Sequence, residues 1–323
     1  MTLTTSDIKS ICFGALRIEE IDGCTHFSRF TKEQEEVYVR VGRSPRERAT
    51  SSVLLDFSTD SESISLKYKV ERASATDFYY FDLYENDVMI HHEGESSAEV
   101  YHGSFSLRLG RGEKRVRLYM PWSFGLIIEE LALDDGAFFR RTERTRKALI
   151  LGDSITQGAS ATYPSLCYAN AIIDDLSLDA INQGISGEIF RAENLGSVPV
   201  CDPEIITVAY GTNDWNPNGW SVTEANANAY FTRLTELYPK AKIIYISPLW
   251  RADENDARSD VSFREHCDRL IAIARAHGIF TVDGRTLTPH VTSMYHDECL
   301  HPNDLGFTQY ARTLVKAIKN AIS

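Results

Sequence analysis

Lys147-Ala148-Leu149-Ile150-Leu151-Gly152-Asp153-Ser154-Ile155-Thr156-Gln157-Gly158 is the stretch on which the reading of the fold turns. Ala148 to Leu151 is an unbroken apolar run, which suits a strand covered on both faces, as in a parallel sheet. The run stops at a glycine, and Asp153 and Ser154 are residues of turns and helix starts. A serine on the turn between the carboxyl end of a strand and a helix is exposed, with its backbone N–H directed to where an oxyanion can be held. By itself Gly-Asp-Ser is an ordinary turn, so its meaning depends on its company.

Downstream, apolar runs alternate with helical patterns. Asp179 to Asn182, Ile205 to Ala209, Lys242 to Ile246 and Ile279 to Val282 read as four further strands. Ser221 and Glu224 have the spacing of a capping box, and Pro239 stops that helix after Tyr238. A second helix runs from about Val261 to His277 and closes at Gly278. The last begins near Asn303 or Asp304 and sets Phe307, Tyr310, Ala311, Leu314, Val315, Ile318 and Ile322 on one face. The repetition predicts a five-stranded parallel, doubly wound α/β domain of flavodoxin-like type over residues 146–323.

Upstream the texture is different. Val37 to Val41, Ser52 to Phe57, Ile64 to Val70, Phe78 to Tyr84, Ser104 to Leu109, Arg115 to Tyr119 and Leu126 to Leu131 read as short strands between turn residues. Ile64, Leu66, Tyr68 and Val70 alternate with Ser65, Lys67 and Lys69, the pattern of a strand with one wet face. Residues 1–145 are therefore expected to form an all-β sandwich of jelly-roll type, an accessory domain without a catalytic constellation of its own. The charged run Arg140 to Arg146 is expected to be a solvated linker.

The second strand of the α/β half ends in Asn182-Gln183-Gly184-Ile185-Ser186-Gly187 and the third in Tyr210-Gly211-Thr212-Asn213-Asp214-Trp215. Both lie, like Ser154, just outside the carboxyl edge of the sheet, where open α/β domains bind ligands. The N–H groups of Ser154 and Gly187 and the side-chain amide of Asn213 thus converge as donors for a developing oxyanion. His301 follows the fifth strand, just before the last helix. An imidazole there can take the proton of a serine hydroxyl if a partner fixes its tautomer. Asp297 and Glu298 are the nearby acids.

Gly152 to Thr156, Gly187, Gly211 to Asp214 and His301-Pro302-Asn303-Asp304 together resemble the four sequence blocks of the SGNH (GDSL) hydrolases, in order and spacing. The resemblance covers about Lys147 to Ser323. It implies that Ser154 is the nucleophile, that Ser154, Gly187 and Asn213 form the oxyanion hole, and that His301 is the general base. The family usually has Asp three residues before the histidine, where this chain has Glu298. Either Glu298, Asp297 on a loop one residue longer, or a backbone carbonyl then orients the ring. Asp297 is favoured because its shorter side chain loses less rotamer entropy when fixed.

Trp215, Trp250 and Arg251 are expected near the mouth of the site as substrate-binding residues, or else packed in the domain interface, with Tyr163 and Arg191 as weaker candidates. His290, His296, Asp297 and His301 fit no compact zinc spacing, and neither metal nor cofactor is expected. His91 and His92 read as a surface or turn feature. A net charge of −12 repels phosphate backbones and anionic lipid, which argues against nucleic-acid and membrane partners. With no signal peptide legible and six scattered cysteines, a cytoplasmic location is expected. A sandwich ahead of an SGNH domain resembles the layout of some carbohydrate esterases, as does Phe81-Asp82-Leu83-Tyr84. This implies a short-chain, acetyl-type ester of a small molecule or glycan, with a homo-oligomer as an open option. A lipase or thioesterase acting on longer chains, and a non-catalytic glycan-binding protein, are the alternatives.

Overall fold

The computed structural model of the chain describes residues 1–96 and 100–322; Ser323, the end of the expected second domain, lies outside them. Two antiparallel sheets form the N-terminal half. One holds β1 (Cys12–Phe13), β4 (Leu54–Thr59), β9 (Lys114–Tyr119), β6 (Phe78–Glu85) and β7 (Val88–Ser96) in that order, with β11 (Phe139–Arg141) paired to β4. The other runs β2 (Arg17–Ile21), β3 (Cys24–Ser28), β10 (Phe124–Leu133), β5 (Ser63–Arg72) and β8 (Val100–Arg108). Ile64, Leu66, Tyr68 and Val70 of β5 meet Phe57, Tyr79, Phe81, Leu83, Val116 and Leu118 of the opposite sheet in one core, so the alternation along β5 is that of a sandwich.

The C-terminal half is a parallel sheet of β12 (Arg146–Gly152), β13 (Leu178–Gly184), β14 (Ile205–Ala209), β15 (Lys242–Ile246) and β16 (Phe280–Val282), ordered 13-12-14-15-16. Along β12 successive residues serve two cores. Ala148 and Ile150 pack with α4 (Tyr168–Asp175) and α7 (Asp304–Ile322), while Leu149 and Leu151 pack with α5 (Trp220–Leu237) and α6 (Phe263–Ala276). Coverage of both faces is what a strand as apolar as this one requires. Gly152 stands level with Gly184 on one side and Ala209 on the other. Three loops therefore leave the sheet side by side. Among the described residues no helix is long and apolar enough to cross a membrane.

Two local expectations are corrected, and a third holds for all but one side chain. Val37 to Val41 is not a strand but the end of a helix over Lys32–Arg40, because Thr31 and Gln34 cap its start reciprocally and Gln34, Val37 and Tyr38 share its buried side. Ser221 and Glu224 make no capping box. The helix begins at Trp220, two residues earlier than a Ser221 cap would set it, and the carboxylate of Asp260 takes the Trp220 N–H at 2.6 Å in its place. Arg140 to Arg146 is largely exposed, as expected of a solvated segment, except that the side chain of Arg144 is 1% exposed and bridges Asp56 of β4 (2.6 Å) to Asp174 of α4 (3.0 Å). Arg115, Arg117 and Tyr119 of β9 join the same network.

The two halves are tied by more than that. Trp122, from the sandwich side, sits among Ile155, Ala159, Ala161 and Cys167 in the core of the α/β half, its indole N–H on the Ala161 carbonyl (2.9 Å). Gln34 and Gln183 exchange amide hydrogen bonds of 3.1 and 3.0 Å. Buried Arg29 donates to the carbonyls of Asn182 (2.6 Å) and Gly184 (3.2 Å), at the end of β13.

Candidate active site

Ser154 opens a four-residue helix whose N-cap is Asp153, the carboxylate accepting from the Ile155 N–H at 3.0 Å. That geometry holds Ser154 on the short turn after β12. Its side chain is 6% exposed, and Oγ lies 3.0 Å from Nε2 of His301. On the other face of the ring, Nδ1 of His301 is 2.7 Å from Oδ2 of Asp297.

Asp297 is fixed by the backbone it caps. Its Oδ1 accepts the N–H groups of Cys299 (3.0 Å), Leu300 (2.7 Å) and His301 (3.0 Å). Burial acts to raise the carboxyl, but the bonds from His301 and these amides outweigh it and hold Asp297 well below the usual carboxylate range. Glu298 has no part in this arrangement. It is exposed and stands at φ +54° on the crest of the turn, so the loop carries one residue more and brings Asp297 to the ring instead. The expectation that Glu298 is a candidate partner of His301 is corrected on this geometry.

Gly187 has φ +77°, a conformation open to glycine at little cost. The turn before it is held by Gln157, whose Oε1 accepts from the Ser186 N–H (2.7 Å) and hydroxyl (2.9 Å) and whose amide reaches the Trp122 carbonyl (3.0 Å). Asn213 donates one amide hydrogen to the Glu188 carbonyl at 2.8 Å, leaving the other for a ligand. Among the described residues, the N–H groups of Ser154 and Gly187 engage no protein acceptor. The ends of the three loops thus carry the N–H groups of Ser154 and Gly187 and one amide hydrogen of Asn213 without a protein acceptor among the described residues.

Beneath them lie buried acids. Burial pushes Asp153 up to about 7 against the Ile155 N–H and the charges of His301 and Arg251, and pushes Asp214 up to about 7 against the Phe190 N–H. His266, lowered to about 4 by burial, lies 2.9 Å from the Gly211 carbonyl, which a neutral imidazole can bond through its Nε2–H.

Trp215 and Arg251, expected at the mouth, are buried below it. The Trp215 ring packs edge-on to Phe263 with its N–H on the Val261 carbonyl (3.0 Å), and Arg251 lies over that ring while bonding the Thr212 carbonyl (3.3 Å) and Asp253. They support the turn that carries Asn213. Trp250 stacks on His290 and packs against Tyr295, behind the loop of His301. Tyr163 meets His92 at the seam between the halves, and His92, on β7 rather than a turn, is bonded to buried Asp82 (2.7 Å).

Residues that sequence reasoning passed over include Gln157, Glu188 and His266, and above all Arg43. From the N-terminal half, Arg43 donates to the Gly187 carbonyl at 2.6 Å. None of them falls in a motif; each is an isolated polar residue whose role depends on a distant segment.

The model of the GDSL-like Lipase/Acylhydrolase family matches residues 150–308. Among solved structures, a salicylyl-acyltransferase from a tetracycline biosynthetic pathway is 19% identical, with 99% of this chain and 97% of that chain covered at a TM-score of 0.79. A family two carbohydrate esterase from Cellvibrio japonicus is 14% identical over 100% and 98% of the chains (TM-score 0.69). An acetyl xylan esterase from the rumen bacterium Butyrivibrio proteoclasticus is 18% identical over 100% and 99% (TM-score 0.63). At these identities the likeness is one of fold, and it spans both halves. A search of curated protein sequences gave no match.

Proposed function

Residues 150–308 belong to the GDSL-like lipase/acylhydrolase family, and on that premise we propose that the protein is a serine esterase that removes short acyl groups, acetyl above all, from O-esters of carbohydrates. The observation that carries the reading is the line from Asp297 through His301 to Ser154, with contacts of 2.7 and 3.0 Å. Ser154 Oγ attacks the ester carbonyl carbon while His301 Nε2 takes its proton. Asp297, ionised throughout the neutral range, holds the Nδ1–H tautomer and steadies the imidazolium. The N–H groups of Ser154 and Gly187 and the free amide hydrogen of Asn213 meet the carbonyl oxygen as it becomes an anion, each worth roughly 3 to 4 kcal/mol. Collapse of the tetrahedral adduct breaks the bond to the alcohol, which leaves with the proton from His301. Water then attacks the acyl-enzyme, gives its proton to His301, and a second collapse frees the acid and restores Ser154.

Support for a short acyl group on a sugar is the two-domain layout shared with carbohydrate esterases, a likeness of fold. The test is steady-state and burst kinetics with 4-nitrophenyl esters of increasing chain length, followed by a screen of acetylated sugars. The expected result is a burst with the acetate, fastest turnover at two carbons, and loss of turnover in Ser154→Ala with the fold intact. A Ser154→Ala protein as active as its parent would refute the nucleophile, and a preference for long chains would refute the acetyl reading.

A further inference from the structure

The turn that carries Asn213 is shaped from outside itself. Among the described residues, none of the successive carbonyls from Tyr210 to Asp214 accepts a backbone N–H. Each accepts from a side chain instead. Tyr245 on β15 donates its hydroxyl to the Tyr210 carbonyl (3.1 Å), and Nε2 of His266 on α6 lies 2.9 Å from that of Gly211. Arg251, beyond β15, reaches the Thr212 carbonyl (3.3 Å), Asn216 that of Asn213 (2.8 Å), and Thr223 on α5 that of Asp214 (3.0 Å). Asn213 in turn gives one amide hydrogen to the Glu188 carbonyl (2.8 Å).

Buried carbonyls have to be paired for the chain to fold, and a regular turn pairs them with its own amides. Side chains on β15, α5 and α6 do it here, which ties the place of Asn213 to the rigid frame of the domain. His266 is the most telling of them. Its ring is completely buried, and its Nδ1 has no partner among the described residues. Burial, joined by the Arg251 charge, lowers the ring to about 4 against the Gly211 bond, so it is neutral. An unpartnered buried nitrogen costs stability, and the neighbouring Trp220 ring would pack as well against an apolar side chain. What the imidazole adds is the bond to Gly211, two residues before Asn213.

Resting on the esterase reading above, we propose that His266 is a positioning residue of the reaction: through the Gly211 carbonyl it holds the Asn213 amide where the ester oxygen becomes an anion, without touching the substrate. A group that acts in this way serves the transition state and leaves binding of the ground state unchanged.

The experiment is a double-mutant cycle on the full chain with 4-nitrophenyl acetate. His266→Leu is expected to lower kcat by about 10- to 100-fold with KM within about twofold. His266→Gln, whose amide can replace the Nε2–H, is expected to recover most of that loss. In an Asn213→Ala background, His266→Leu is expected to cost less than about threefold, because the donor it positions is gone. Leu66→Ala, in the core of the sandwich, weakens the fold away from the turn and is expected to keep kcat per folded molecule; circular dichroism gives the folded fraction of every variant. Should His266→Leu fail to fold, His266→Asn, whose shorter amide stops at the place of Nδ1, takes its part in the cycle with the same expectation. An unchanged kcat in the folded variant, or an equal loss in both backgrounds, overturns the proposal. Loss of hydrolysis in Ser154→Ala tests the esterase reading separately, whatever the cycle returns.

Discussion

At the scale of single residues, the site turns on which of two adjacent acids reaches His301. Sequence narrowed the choice to Asp297 and Glu298 and leaned to the first on rotamer entropy, but only the left-handed turn at Glu298 explains why the extra residue does no harm. Asp297→Asn is expected to lower kcat by a factor on the order of 10³ to 10⁴ through loss of the productive tautomer, and Glu298→Gln to leave it within about twofold; steady-state kinetics of the two variants checks this. Asp214 carries a second consequence. One of its carboxyl oxygens is buried without a partner, and burial raises the group to about 7. The folded protein therefore favours the protonated form, a stabilisation complete below about pH 4 and lost as pH rises toward 7. Asp297 acts in the opposite sense, with stability lost as pH falls below the ordinary carboxylate range. Thermal melts between about pH 5 and 8 are expected to show a falling midpoint in the parent and a flatter profile in Asp214→Asn.

At the scale of elements, the strand and loop order was legible because apolar runs and glycine ends are local signals. Five strands, α6 and α7 follow from them directly. What hides from such reading is any feature whose partner is remote. Asp260 caps a helix forty residues upstream, and Val37 to Val41 looks β-rich only if the Thr31–Gln34 cap before it is ignored. The turn Asn182 to Glu188 shows the same dependence, since Gln157 and Arg43 hold it from two other segments. Asn213→Ala is expected to reduce kcat by about 10² to 10³ with little change in KM, the mark of a donor used in the transition state. Gly187→Ala, forced to keep φ +77°, is expected to lose at least about 1 kcal/mol of stability together with activity, measured by urea unfolding and ester hydrolysis in parallel.

At the scale of the whole molecule, the two textures of sequence mark two architectures but not their degree of union. Alternation and apolar runs report how each half buries its own core; they are silent on Trp122 and Arg144, which serve the neighbouring half. Trp122→Ala is expected to cost about 3–5 kcal/mol. Far-UV circular dichroism and ester hydrolysis in urea are expected to fall in one shared transition in the parent, and at lower urea in the variant. The grip of Arg29 on the carbonyls of Asn182 and Gly184 has an implication for how such a gene can change. Recombination that exchanged the leading module for an unrelated one would strip the serine-bearing half of a buttress it does not encode. Any viable graft has to bring its own cation to that spot, which makes the pair a single heritable unit rather than a tool with an interchangeable handle.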